Sequence, residues 1–287
     1  MNTKSNTETI DCPYCNTSKS EPWVEENGFV AVKCSECGLV YVNPRPVQSL
    51  ISEGVETGVH SNVEHGRTAI VRRLGGPMVA RYKKILAAMF NDVWEKADPI
   101  SWLDVGAGYG EVVEAVFALA PEGSQVEGIE PMEPKATRAR ALGIKVNNKY
   151  LCDVTEKYDF VSLVHVYSHI PDFRVFLKKL KGVLAENGEF YFETGNIGDL
   201  GLSSEVPTEL DLPDHLVFAG EKHLTGYLTD AGFSIVAIRR LRKDGIINFG
   251  KNIIKKLIGR QVTLAVPYTS RYRSILIRAK LFSSPSA

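Results

Sequence analysis

The sequence predicts an α/β protein: a doubly wound, mostly parallel seven-stranded sheet with a small cysteine-bearing module in front of it. Three observations carry that prediction. Apolar runs of strand length alternate with helix-period segments from Ile100 to Glu193, as in parallel strands joined by crossover helices. The first run closes on Leu103-Asp104-Val105-Gly106-Ala107-Gly108-Tyr109-Gly110, where alternate glycines allow a sharp strand-to-helix turn and close approach of a ligand to the backbone. Two Cys-x2-Cys pairs, Cys12/Cys15 and Cys34/Cys37, stand 18 residues apart near the N-terminus.

At 287 residues, with 44% hydrophobic and 24% charged content, the chain suffices for one large domain plus a small one. The formal charge is zero but uneven. From Arg239 onward 12 basic residues face Asp244 alone, which leaves 22 basic and 33 acidic residues before it. A uniformly basic nucleic-acid surface is thereby disfavoured, whereas the tail suits phosphates or an anionic membrane. The first nine residues hold no apolar leader and nowhere do 18 apolar residues run together, so the expected location is cytoplasmic.

Residues 1–46 read as a zinc ribbon. The spacing C-x2-C-x18-C-x2-C suits a structural Zn2+ held by Cys12, Cys15, Cys34 and Cys37, because four thiolates leave no open coordination position. Between the pairs, Trp23–Lys33 alternates around Asn27-Gly28 like a hairpin. The alternative is two disulfides or a redox pair. Cys152 has no sequence partner and reads as a small, semi-buried side chain. Residues 47–77 are rich in Gly, Ser and Glu and read as a linker or lid. His60 and His65 lie in it without metal-ligand neighbours, as surface histidines of a loop that could close over a ligand.

The main domain spans 78–287. Val79, Tyr82, Ile85, Leu86, Met89 and Phe90 recur at helical spacing and lead into the first strand, Ile100–Val105. A helix through Val112–Leu119 stops at Pro121-Glu122-Gly123, and a second strand ends at Glu130, 24 positions beyond Gly106. That is near the distance at which a ribose-binding carboxylate follows a nucleotide loop. A helix from Pro134 to Leu142, a strand at Ile144–Val146, the apolar strand from Asp159, a helix through Phe173–Leu184 and the strand Glu189–Glu193 complete the alternation. Residues 195–214 form a polar passage too long for an ordinary connection, which predicts a covering segment. A helix through Leu224–Ala231 and strands at Ser234 and Ser274 follow. Between those strands, residues 246–260 have a helical period with Lys251, Lys255, Lys256 and Arg260 outside it, the pattern of a helix that covers a sheet or lies on a membrane surface.

Taken together, residues 78 to 280 resemble the class I S-adenosylmethionine-dependent methyltransferases, whose sheet is Rossmann-like. The glycine motif at Asp104–Gly110, the acidic strand end Gly128-Ile129-Glu130-Pro131, and Tyr158-Asp159-Phe160-Val161 with His169-Ile170-Pro171-Asp172 carry the resemblance. Asp214-His215-Leu216-Val217-Phe218 and the N-terminal ribbon are similar to a subgroup of sugar and natural-product enzymes. Ser168 departs from the pattern, since many relatives have Glu before the histidine. A dinucleotide fingerprint would place two residues before its third glycine, and here there is one. The resemblance implies S-adenosylmethionine as cofactor, held by Asp104 and the backbone of Gly106, Ala107, Gly108, Tyr109 and Gly110 at its amino-acid end. Glu130 would take the ribose and residues 148–153, including Asp153, the adenine, with Pro131 and His165 also among the cofactor-binding residues. Tyr109 or Tyr167 would face the sulfonium.

Oxygen and carbon acceptors also require removal of a proton, for which histidine is suited. His165, His169 and His215 all fall near the carboxyl edge of the sheet; of these His215 is the expected base and His169 the second choice. His223 reads as a helix-surface residue without a role. The expected reaction is methyl transfer to a small acceptor, a sugar, nucleotide-sugar or natural product, with weak membrane contact through 246–260. The alternatives are an RNA methyltransferase gripping phosphates with ribbon and tail, and a non-catalytic adaptor.

Overall fold

The computed structural model describes residues 6–60, 67–68, 74–199, 210–242, 246–259 and 274–282. The central sheet comprises β1 (Ser101–Val105), β2 (Gln125–Ile129), β3 (Val146–Asn147), β4 (Tyr158–Val164), β5 (Leu184–Gly195), β6 (Phe233–Leu241) and β7 (Ser274–Leu281). Their order is β3-β2-β1-β4-β5-β7-β6. β1 to β5 run parallel, and β7 enters antiparallel between β5 and β6. The sheet is therefore seven-stranded and mixed, with one reversed strand.

Strand alternation divides the core into two layers. Leu103, Val161, Leu163, Phe190 and Phe192 face the helices Phe173–Val183 and Glu221–Asp230. Trp102, Phe160, Val164 and Tyr191 face the helices Gly76–Met89 and Glu111–Phe117. Burial on both faces explains why β4 reads as a nearly continuous apolar run from Phe160 to Val164, broken only by the buried Ser162. Strand order reverses between β1 and β4, so a crevice opens outside their carboxyl ends.

The cysteine module forms its own sheet from Ser20–Glu26, Phe29–Cys34 and Val40–Val42, and its fourth strand is Val217–Phe218, from the segment after β5. Cys12, Cys34, Leu39 and Tyr41 share one buried cluster with Phe173, Leu224 and Tyr227 of the main domain. Polar ties reinforce this. Arg174 donates to the carbonyls of Pro13 and Tyr14, and the Tyr227 hydroxyl donates to Pro13 O at 2.9 Å. His223 belongs to the same seam: it is buried, not a surface residue, with Nε2 3.0 Å from Cys37 O and its ring edge-on to Tyr14. Periodicity reveals the helix face that meets the sheet and is blind to a second face covered by another module.

The stretch 47–77, expected as linker or lid, contains the helix Gln48–Thr57, which buries Ile51 and Gly54. So little apolar material gives almost no helical signal. His60, expected on the surface, is 5% exposed, while His65 lies outside the described residues. The helix Ile246–Leu257 is present, but Ile254, Leu257 and the following Ile258 are exposed instead of covering the sheet. Among the described residues no helix is long and apolar enough to cross a membrane.

Candidate functional site

The loop after β1 is pinned to β2 by two hydrogen bonds, from the N–H groups of Gly106 and Ala107 to Ile129 O at 2.8 and 2.9 Å. Gly106 (φ +71°) and Gly108 (φ +54°) both adopt the left-handed region that side chains disfavour. A Cβ on Gly106 would overlap Val166, whereas one on Gly108 would meet nothing within 4 Å. The first glycine thus permits packing of the loop on the β4 turn. Gly110 caps the helix Glu111–Phe117.

Two carboxylates flank this loop. Glu130 is buried and accepts the N–H of Gly108 at 2.8 Å and of Met132 at 3.0 Å, one on each oxygen. Each oxygen keeps capacity for a further donor. Asp104 lies beneath the loop, where its Oδ1 accepts the Ser162 hydroxyl at 2.5 Å, and Ser162 Oγ in turn accepts Trp102 Nε1–H at 2.9 Å. Burial, with the charges of Glu130 and Glu111 adding, pushes the Asp104 carboxyl up to about 7 against the lowering effect of Ser162.

In front of the loop is a cavity of about 820 Å³. Its floor is Gly106, Gly108, Glu130, Pro131 and His165, and the helix Gln48–Thr57 overhangs it with Ile51, Gly54 and Val55. Lys135, Lys149 and Lys179 also line it. His165 adopts φ +59° at the end of β4, and its Nε2 lies 3.4 Å from Glu193 Oε1. Burial alone would raise the Glu193 carboxyl, but His165 and Arg81, the latter at 2.5 Å, outweigh it and hold it below its ordinary value.

Four side chains converge on the far wall: His60, His169, Asp214 and His215. Asp214 Oδ1 lies 3.0 Å from His60 Nε2 and 3.2 Å from His169 Nδ1, which is also 2.8 Å from Asp214 O. His215 Nδ1 lies 2.8 Å from Leu210 O, and the rings of His169 and His215 are 4.8 Å apart. A carbonyl can only accept, so both imidazoles carry their proton on Nδ1 when neutral and present Nε2 as the lone-pair nitrogen. His60 has the room it needs because residue 54 is glycine, and a Cβ there would overlap the imidazole.

The two expected bases are thus together at the cavity, whereas Tyr167 is not. It is 1% exposed and packs on Phe173 and Phe192 in the core, so it touches neither the cavity nor any acceptor in it. The residues Tyr167–His169 form a single 3-10 turn, in which positions two apart point in different directions. Tyr109 is half-buried and does not line the cavity, nor does Asp153, whose carboxylate instead accepts the Tyr150 N–H. Cys152, expected semi-buried, is exposed at the cavity wall. His60 and Asp214 are site residues that sequence reasoning did not select.

The four cysteines of the N-terminal module form a second centre, able to bind a metal. All four sulfurs lie within 4.8 Å of one another, with Cys12–Cys37 and Cys15–Cys34 at 3.5 Å. A tetrahedral ion with sulfur at 2.3 Å sets its ligands about 3.8 Å apart, and a disulfide needs about 2.05 Å, so the observed spacing fits the ion.

A family model described as a methyltransferase domain matches residues 78–238. A curated relative, the ubiquinone biosynthesis O-methyltransferase of Bradyrhizobium diazoefficiens, is 29% identical over 102 residues, a match that spans 33% of this chain and only 39% of that protein's length. Among solved structures, an S-adenosylmethionine-dependent methyltransferase from Archaeoglobus fulgidus superimposes with a TM-score of 0.51 at 17% identity, covering 70% of this chain and 94% of that one. The magnesium protoporphyrin IX methyltransferase of Synechocystis, solved with bound S-adenosylhomocysteine, gives 0.48 at 16% identity, covering 71% and 83%. At 17% identity the likeness to the Archaeoglobus protein is one of fold.

Proposed function

Because the chain belongs to the methyltransferase-domain family, we propose that it transfers a methyl group from S-adenosylmethionine to a small organic acceptor held beneath the helix Gln48–Thr57. When bound, S-adenosylmethionine supplies a carbon activated by its sulfonium charge, so the protein has mainly to align the partners and exclude water. The observation that carries the reading is Glu130, fixed by two backbone N–H groups beside an open glycine turn. Its free lone pairs suit the ribose hydroxyls. Asp104 suits the cationic amino-acid end, because a positive neighbour would return its raised carboxyl to the ionised form. Glu130→Ala is expected to weaken cofactor binding by about 10²-fold or more, at roughly 1.5–3 kcal/mol per charge-assisted hydrogen bond. Calorimetry showing undiminished affinity would remove Glu130 from the site.

His215 is our choice of base. Burial holds its pKa below the ordinary histidine value, with the charge of His169 adding, so the ring is neutral and ready to accept a proton at Nε2. His169 is the opposite case: burial alone would lower it, but Asp214 outweighs burial and raises it. A base must be deprotonated, so the acid limb of kcat/KM is expected to rise with an apparent pKa below about 6.5. A limb centred above that value would hand the role to His169.

For the acceptor we favour a sugar or nucleotide-sugar, since Lys135, Lys149 and Lys179 would meet an anionic group within an otherwise largely apolar wall. Transfer of a labelled methyl group to a panel of nucleotide-sugars, with RNA as counter-panel, tests this. Transfer to RNA alone would overturn it. We read the cysteine centre as a structural Zn2+ site, a role suited to four thiolates and no open position.

A further inference from the structure

Among the described residues, nothing covers the apolar side chains at the end of the helix Ile246–Leu257, whose place in the fold bears on how the protein meets its surroundings. We propose that this helix docks the protein on an anionic lipid bilayer. Ile254, Leu257 and Ile258 are 61%, 80% and 66% exposed, and helical geometry places them within about 100° of arc, one continuous stripe. Lys251 and Lys255 border that stripe on one side, and Lys256 stands on the opposite side. All three lysines are exposed. An apolar stripe bordered by long cationic side chains is the arrangement that sinks into the headgroup region while the ammonium groups reach anionic lipid.

Charge complementarity selects this occupant. Other cations of the basic tail are engaged within the protein: Arg239 with Ala88 O, Arg240 with Glu221, and Arg278 with Asp92 and Glu189. Lys251, Lys255 and Lys256 are exposed instead, the first two beside the apolar stripe. Topology supplies the orientation. β6 runs parallel to β5 and β7 antiparallel to both, so β6 ends at Leu241, and β7 begins at Ser274, on the carboxyl edge that also carries the glycine loop. The connection bearing the helix therefore leaves and re-enters the sheet on the cavity's edge, which docking would turn toward the lipid. The proposal does not depend on methyl transfer.

Flotation of the full chain with vesicles of phosphatidylcholine alone, or with a quarter phosphatidylglycerol, tests it. Expected are at least tenfold more bound protein on the anionic vesicles, loss of that excess at high salt, and tenfold weaker binding for I254E/L257E. K251E/K255E/K256E should erase the preference for anionic lipid. An unchanged circular dichroism spectrum and Tm verify that each variant is folded. The proposal fails if the folded wild type binds neither vesicle, or if the variants bind as it does. It fails equally if I254E/L257E instead dissolves a dimer seen by size exclusion, since the stripe would then be an interface between copies.

Discussion

Replacing His215 by asparagine is expected to lower kcat by about 10² to 10⁴-fold while cofactor affinity stays near that of the unaltered protein. Asparagine can still donate to Leu210 O, as Nδ1 does, but it places no proton acceptor where Nε2 stood. Cofactor contacts are expected to survive because Glu130 and the glycine loop take no hydrogen bond from His215. His60→Ala should be milder. It removes one of the two imidazoles on Asp214 and leaves His169 in place, so the loss should act through orientation and shift the acid limb of the pH profile. An unchanged kcat in the asparagine variant would move the proton transfer to His169 or show that the acceptor needs none.

Cys34→Ser, or chelation of the Zn2+ that we propose for this centre, is expected to lower the stability of the whole chain rather than of a detachable module. Structural zinc contributes about 10–16 kcal/mol of apparent binding energy in small peptides, comparable with the roughly 5–15 kcal/mol that holds a whole domain. Cys12 and Cys34 lie in the same buried cluster as Phe173 and Tyr227, and the carbonyls of Pro13 and Tyr14 are held by Arg174. A loss of even about 4 kcal/mol would lower Tm by roughly 10 °C in a domain of this size. Scanning calorimetry should record a single transition that moves as one. Two separate transitions, with cofactor binding intact in the variant, would show that the module is energetically independent.

The parts of the site that could be read from the sequence are those imposed by local chemistry. Alternate glycines after an apolar run demand a turn, and Glu130 sits where the next strand must end. The four cysteines announce themselves by spacing alone. What stayed hidden depends on contacts distant in the chain. His60 is isolated in a polar stretch, and only the fold brings it to Asp214, 154 residues away. A signal was available in Gly54, a glycine inside a helix, which implies close approach by something bulky. The burial of His223 is hidden because the face it uses meets the cysteine module, and that of Tyr167 because its ring turns inward onto Phe173 and Phe192, a contact that no local pattern marks.

The strand Val217–Phe218, paired to Val40–Val42, has a consequence for any attempt to exchange parts between related proteins. A chimaera cut at residue 46 would bring in a foreign module with an edge strand lacking its mate, and would leave Val217 and Phe218 apolar and unpaired beside His215. The transplantable piece is discontinuous: the cysteine module together with the residues around 210–218 that complete its sheet. Grafts that split that composite piece should arrive misfolded at the mouth of the cavity, which Asp211, Asp214 and His215 line.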